Sequence, residues 1–466
     1  MSKLSLNFGV AAFSRLLLGG ISLIVVGLLT RTLGPAGYGQ YSLVFAYHFI
    51  FTALADLGLY TILVREISRP QADERKIVSN IFGLRLTAVV SLLAVAILAV
   101  QWLPYPTEVK LGILIASLFS IGSSLVQVLT GVFQKYLKLY YVSVADVVSR
   151  LVQLFLLILV VNYRPGLLPF IWVVAVSEII HFALVFVFAR RLVPVGLAAD
   201  LDYWQGTFKK SLPIAVSLVF VLLYFKLDTI LLSLFKPAYD VGVYSVAYKI
   251  LELIIFLPAM YIGLVMPLLS RQAPASTGDF LKTFRKSFNV LAIFALPAMA
   301  YLALRAEDII RLISGSEFGP SVRVLQILSV AIMLIFFGNL GGNAVVALDL
   351  QKQAVKIYFL GAILNIGGNL LLIPRYSYFA TAWTTVLTEL FITLGLFWLI
   401  RNKIKFWPDF RILAKAALAT ILIVFLVHPL RLEFAAATAL ALLYFPILYL
   451  FKGFNRADLK EMISRS

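Results

Sequence analysis

The chain has 466 residues, 62% of them hydrophobic and 13% charged, with a mean hydropathy of +0.98. Charged residues therefore stand at about half their usual share of roughly a quarter, and no water-soluble fold is built from that composition. Cysteine is absent, which excludes disulfides, thiol catalysis and thiolate metal sites, and His48, His181 and His428 are too far apart in sequence to suggest a metal centre. No cofactor and no metal are expected.

A bilayer-spanning helix needs about 20 apolar residues. Runs of that length predict an all-α polytopic membrane protein of roughly fourteen helices, over residues 8–30, 41–64, 77–103, 111–133, 143–161, 167–189, 211–235, 242–268, 286–304, 321–348, 354–373, 378–400, 412–428 and 434–451. The first run has Lys3 before it, Arg15 within it and no small-residue cleavage signal after it, so it is expected to be an uncleaved first helix. With the N-terminus inside, most Lys and Arg fall in cytoplasmic turns, among them Arg65, Arg69, Arg75 and Lys76, then Arg190, Arg191, Lys209 and Lys210. This is the positive-inside pattern. It predicts a multi-pass protein of the cell membrane with both termini cytoplasmic, and it reads the formal charge of +18 as topology, with no nucleic-acid partner.

The turn after the first predicted helix reads Pro35-Ala36-Gly37-Tyr38-Gly39-Gln40-Tyr41-Ser42, and the turn after the seventh reads Ala238-Tyr239-Asp240-Val241-Gly242-Val243-Tyr244-Ser245. From Gly39 onward the offset is 203 residues, and Gln134-Lys135 and Tyr141 return later as Gln351-Lys352 and Tyr358 at an offset of 217, order and topology being kept. Two six-helix lobes related by a parallel repeat are expected, residues 1–200 and 201–405, with two further helices and a cytoplasmic tail in 406–466; such a repeat suits alternating access.

A charge at mid-membrane costs at least about 2.5–3.5 kcal/mol on insertion scales, so charges there must pair or face water. Asp146 and Arg150 are spaced to pair along one helix. Counting inward from the turn between helices seven and eight, Asp228 matches Lys249 in depth and Lys226 matches Glu252. Two readings stay open for these four, structural salt bridges or groups lining a lumen. Arg15 and Arg85 have no partner within a turn of their own helices; Arg15 is a candidate to bind phosphate through its guanidinium fork, with pairing to Asp56 or snorkelling inward as the alternatives. Asp56, Glu178 and Glu389 are generic candidates for a coupling ion. Pro258 and Pro297 predict bends, and Gly338 with Gly342 predicts close helix packing. Trp102, Tyr105, Trp204 and Trp407 read as interfacial anchors.

The run Leu29 to Pro35, then Tyr38 to Tyr41, Asp56-Leu57-Gly58 and Arg65-Glu66, resembles the start of the O-antigen and oligosaccharide flippases, the polysaccharide branch of the multidrug/oligosaccharidyl-lipid/polysaccharide exporter superfamily. Tyr224 to Asp228, Gly242 to Lys249, Glu307 to Ile310 with Gly315, and Asn365 to Asn369 leading to Pro374 and Glu389 resemble later family segments. One departure follows Pro374, where the family is usually glycine-rich and this chain reads Arg375-Tyr376-Ser377-Tyr378-Phe379-Ala380. The resemblance implies a bacterial or archaeal transporter that moves a polyprenyl-diphosphate-linked oligosaccharide to the outer leaflet without catalysing a covalent change. Arg15, Arg31, Lys226 and Lys249 are the expected substrate-binding cations, and Asp56, Asp228 and Glu252 the expected coupling or gating acids. Expected partners are the lipid-linked glycan, membrane lipids and glycan-assembly enzymes. The alternatives are a drug/cation antiporter of the same superfamily and a membrane-embedded glycan polymerase or ligase. No G-x-x-x-x-G-K loop occurs, so ATP is not the expected driver.

Overall fold

The computed structural model describes residues 3–56, 58–405, 408–427, 433–451 and 453, and the side chains of these apart from 3–16, 210, 212–225, 274, 427, 435 and 437. Arg15, as a side chain, and Trp407 lie outside the described residues. Among the described residues the secondary structure is helical, without strands. Residues up to Gly242, with Ile313–Gly315, form one compact unit; Val243–Leu312 and the residues from Ser316 onward form a second.

The first unit contains α1 (Lys3–Asp56), α2 (Leu59–Ile67), α3 (Glu74–Ala99), α4 (Thr107–Lys135), α5 (Tyr140–Tyr163), α6 (Leu167–Arg190) and α7 (Leu201–Phe235), and α8 (Ala238–Ile254) begins in it. The second contains α9 (Phe256–Ala275), α10 (Thr277–Leu304), α11 (Ala306–Ser314), α12 (Ser321–Ala347), α13 (Gln351–Ile404), α14 (Arg411–Val427), α15 (Phe434–Ala441) and α16 (Tyr444–Leu450). Nine segments among the described residues are long and apolar enough to cross a membrane. Two of these, Leu17–Ile67 and Gln351–Ile404, run to 51 and 54 residues, far beyond the roughly 20 that one crossing needs. Each is broken by one non-helical residue, Gly34 in α1 and Ser377 in α13, so each is a pair of crossings. With α7, α14 and the α15–α16 pair, this restores the roughly fourteen crossings expected from hydropathy. Large apolar side chains such as Leu98, Phe155, Trp398 and Phe425 are exposed, as lipid contact requires. This is a multi-pass membrane protein.

Each break has a cause in the backbone. Gly34 has φ 64° and precedes Pro35, so it takes a conformation that glycine accepts without penalty just where proline removes a helical donor. Ser377 takes φ 51° and ψ −136°, a pair that favours glycine strongly and that a side chain strains. The departure noted after Pro374 therefore keeps the turn and tolerates the strain. Ser377→Gly is expected to raise stability by about 1 kcal/mol, read as a higher melting temperature in detergent; a lower one would show that the serine side chain contributes more than its backbone costs. Near Pro258 the helical hydrogen-bond pattern is interrupted at Ile255, between α8 and α9, where the backbone keeps helical dihedrals; proline lacks the amide that would reach the carbonyl of Ile254, and its ring crowds that carbonyl. Pro297 lies inside α10.

The long polar stretch after α6 is docked along α3. Gly196 N donates to Ser79 Oγ at 3.1 Å, Ala198 N to Ser79 O at 3.3 Å, Asp200 N to Asn80 Oδ1 at 3.0 Å and Trp204 Nε1 to Asn80 O at 3.0 Å. Gly83 allows the approach, since a Cβ there would lie 2.3 Å from Ala198 O. Asp200 caps α7 by accepting from Tyr203 N and pairs with Lys76 at 3.3 Å. The Tyr203 amide and the Lys76 ammonium hold its carboxyl below the usual carboxylate range. Trp204 is thus a hydrogen-bonded clamp on the α3 backbone, in addition to the interfacial anchor its position suggested.

The two copies of the repeated turn lie against each other within the first unit. A Cβ on Gly39 would sit 1.8 Å from Ala238 O, and a Cβ on Gly242 would sit 1.8 Å from Pro35 O. Gly39 and Gly242 are equivalent in the repeat. Each glycine therefore receives the carbonyl that precedes its counterpart by one helical turn. In the second unit, Gly338, Gly341 and Gly342 of α12 pack against Thr393, Leu396 with Phe397, and Tyr358 of α13, the close packing that the small-residue spacing predicted.

Candidate functional site

The first unit buries charge at its centre. Arg85 of α3 is 1% exposed. Its Nη1 lies 3.0 Å from Asp56 Oδ1 at the end of α1, and its Nη2 donates to Gln127 Oε1 of α4 at 2.8 Å. Asp56 therefore serves Arg85, whose partner is on another helix and so is invisible to spacing; the suggested pairing of Arg15 with Asp56 lies outside the described residues. Asp146 and Arg150 of α5 lie 3.8 Å apart as expected, and Arg150 Nη1 donates to Gln153 Oε1 at 2.8 Å. His48 is fully satisfied, with Nε2 2.7 Å from Ile113 O and Nδ1 2.9 Å from Ser120 Oγ. Beyond the Gly34 break, Tyr38, Tyr41 and Phe45 form a ladder, with ring centroids 6.0 and 4.8 Å apart.

The expected cations and acids are divided between the units: Arg31, Asp56, Lys226 and Asp228 belong to the first, Lys249 and Glu252 to the second. Arg31 is exposed on α1 beside Gly315, where a Cβ would lie 3.9 Å from its Cγ. Asp228 is buried on α7, and Lys226, two residues earlier, is half-buried. Lys249 and Glu252 of α8 pair with each other at 2.9 Å. An oppositely charged neighbour three positions along one helix is a pairing that spacing favours.

The second unit is polar where the two arms of α13 meet. Gly361 packs on Thr388 and Ile392, Gly368 on Thr384, and Gly395 on Ile357. Asn365, Asn369, Thr381, Thr384 and Thr388 are buried along this seam, and Asn369 Nδ2 donates to Asn365 O at 3.0 Å. Glu389 is buried beside it, against the α12 glycine Gly338. Between α10 and α12, the acids of α11 are held by arginines: Arg305 Nε lies 3.0 Å from Asp308 Oδ2 and Arg311 Nη2 lies 2.8 Å from Glu307 Oε1. Among the described residues no group of three or more His, Asp or Glu is placed to hold a metal.

Spacing along one helix located the Asp146–Arg150 pair. The same signal exists at Glu178 and His181, three residues apart on α6 and 3.3 Å apart in space, and was read only as a generic acid.

Comparison with known proteins places this architecture. The family model described as "Polysaccharide biosynthesis protein" matches residues 5–272, and the MatE model matches residues 213–371. The probable flippase AglR of Haloferax volcanii is 30% identical over 175 residues, 37% of this chain and 36% of that protein. The capsular polysaccharide biosynthesis protein CapF of Staphylococcus aureus is 21% identical over 281 residues, 59% of this chain and 71% of that protein. The chain thus spans about a third of the length of the flippase it matches. In fold it is similar to the lipid II flippase MurJ in an inward closed conformation, with a TM-score of 0.80, 14% identity and coverage of 95% of this chain and 98% of that one. An inward-facing multidrug resistance transporter of the MATE family gives a TM-score of 0.67 at 14% identity, covering 84% of this chain and 98% of that one. With a family model matching more than half of its length, the chain belongs to the polysaccharide biosynthesis protein family of the multidrug/oligosaccharidyl-lipid/polysaccharide exporter superfamily.

Proposed function

We propose that the protein flips a polyprenyl-diphosphate-linked oligosaccharide from the inner to the outer leaflet by alternating access, without catalysing a covalent change. The observation that carries this reading is the polysaccharide biosynthesis model over residues 5–272. An isoprenyl chain can stay in lipid, so the protein needs cations for the diphosphate and polar or aromatic surface for sugars, and no large apolar pocket. Arg15, Arg31, Lys226 and Lys249 supply the cations, Asp228 and Glu252 are the acids matched in depth to Lys249 and Lys226, and Asp56 acts through Arg85. The sequence repeat, 1–200 and 201–405, supplies the two halves that alternating access requires, and residues 406–466 add two helices and a cytoplasmic tail. Glycan-assembly enzymes are the natural protein partners.

Reconstitution into liposomes with a labelled lipid-diphosphate glycan tests this reading. Exposure of the glycan to an external glycan-modifying enzyme should exceed that in protein-free vesicles. Arg15→Ala should abolish most of the gain, and Arg15→Lys should restore part of it because charge is kept and the fork is lost. The MatE match over residues 213–371 favours drug/cation antiport as the second reading; efflux of small organic cations without glycan exposure would establish it. A polymerase or ligase is disfavoured, because Glu307 and Asp308 of the longest external loop are held by arginines.

Both termini are assigned to the cytoplasm. In a chain without cysteine, Thr107→Cys and Ser316→Cys should react with an impermeant maleimide on intact cells, and Ser276→Cys should not. Labelling at Ser276→Cys would invert the topology.

A further inference from the structure

α5 is open on two sides that differ in chemistry. At about 3.6 residues per turn, Val148, Leu151, Phe155 and Ile158 share one side of the helix, and all four are exposed. That is an apolar stripe fit for lipid. Asp146, Arg150, Gln153 and Leu157 share the opposite side. Gln153 and Leu157 are buried there, so this side faces protein, yet the Asp146 and Arg150 side chains are 35% and 45% exposed. Charged groups that remain accessible within a membrane span mark a wet gap inside the protein, because charge against lipid is strongly disfavoured.

The groups at this gap have hydrogen-bonding capacity to spare. Arg150 Nη1 donates to Gln153 Oε1 at 2.8 Å, while Arg150 Nε and Asp146 Oδ1 are 3.8 Å apart, beyond hydrogen-bond range. Among the described residues no donor reaches the Asp146 carboxylate, and none bonds to the Tyr41 hydroxyl. α1 packs on α5, and the Arg150 guanidinium is within electrostatic reach of that hydroxyl. Tyr41 and Phe45 are half-buried, with ring centroids 4.8 Å apart, and Phe45 meets Phe119 of α4 edge-on at 5.4 Å. The Tyr41 ring is thus braced by a second and a third. Charge at the gap cancels. A carboxylate only accepts and a guanidinium only donates, so the two side by side suit hydroxyls, each of which does both. A pyranose offers such hydroxyls around its edge and apolar C–H faces that lie against aromatic rings. A phosphate would gain Arg150 but be repelled by Asp146.

We propose that Tyr41, Phe45, Asp146 and Arg150 form a saccharide subsite in the first unit, selective for an uncharged sugar ring and separate from the cations expected to hold the diphosphate. Its place in transport rests on the flippase reading; the binding of sugar does not. The test uses the full chain in two settings. In lipid nanodiscs, saturation-transfer NMR is read on the methyl glycosides of glucose, galactose, mannose and N-acetylglucosamine. At least one should receive more transfer than from empty nanodiscs, and inorganic pyrophosphate should not displace it. Transfer should fall about tenfold or more in Tyr41→Ala and in the double variant Asp146→Leu with Arg150→Leu, and persist in Phe155→Ala on the lipid side. Melting temperatures show that the variants fold; where Tyr41→Ala does not, Tyr41→Leu keeps the bulk without the ring and takes its place. Transfer no greater than from empty nanodiscs, displacement by pyrophosphate, or equal transfer from wild type and variants would overturn the subsite. In liposomes the same variants should slow glycan exposure by about tenfold. Glycan exposure by wild type without glycoside transfer would overturn the subsite and leave the flippase reading intact. Glycoside transfer without glycan exposure would support the subsite and overturn the function proposed above.

Discussion

Gly39→Ala is expected to destabilise the protein by about 3 kcal/mol or more, and Gly242→Ala by a matching amount. Overpacking a well-filled interior usually costs about 1–3 kcal/mol, because neighbouring side chains can turn away. Here the obstacle is backbone: the added methyl would sit 1.8 Å from the carbonyl of Ala238 or of Pro35, so the helices must separate along their length. The close approach also permits Cα–H to carbonyl contacts, which separation would weaken. A loss of that size corresponds to a fall in melting temperature of roughly 6–12 °C for a unit of this length. Gly367→Ala is the control. A Cβ there meets nothing within 4 Å, so the change should be neutral or stabilising by up to about 1 kcal/mol. Equal melting temperatures for Gly39→Ala and Gly367→Ala would show that the crossing is not fixed as described.

Removing either member of the Arg85–Asp56 pair is expected to cost about 3–5 kcal/mol, since each change leaves the other charge buried and uncompensated. Arg85→Leu should be the worse of the two, because it also strands Gln127 Oε1, which now accepts from Nη2 at 2.8 Å. The double variant Asp56→Leu with Arg85→Leu should recover most of the loss, as apolar replacement of a whole buried pair is often neutral. A double-mutant cycle on melting in detergent reads this directly. Additive losses in the double variant would mean that the two residues act separately, and would return Asp56 to the list of independent coupling acids.

Helix number and type were legible because each crossing requires its own apolar run, and the breaks at Gly34 and near Pro258 followed from residues that cannot continue a helix. Partnerships along one helix were legible too, as Asp146 with Arg150 shows. Arg85 with Asp56 was not, because a contact between helices depends on how each is rotated about its axis, which hydropathy leaves undetermined when apolar residues surround the helix. Lys249 with Glu252 is a second pairing along one helix, at a spacing of three on α8. At Ser377 the sequence departed from a glycine-rich pattern while the backbone kept the shape that glycine favours, so the local loop shape put in doubt by that departure was settled only by the dihedral angles.

The contact between Gly39 and Ala238, mirrored by Gly242 and Pro35, is self-complementary: each side presents a receiving glycine and an offered carbonyl. That is the signature of an isologous interface, in which one surface docks on a second copy of itself. The two sides are nevertheless separate positions of one chain: a side chain changed on one side is not changed on the other, so the residues around the glycines can differ while both close approaches are kept.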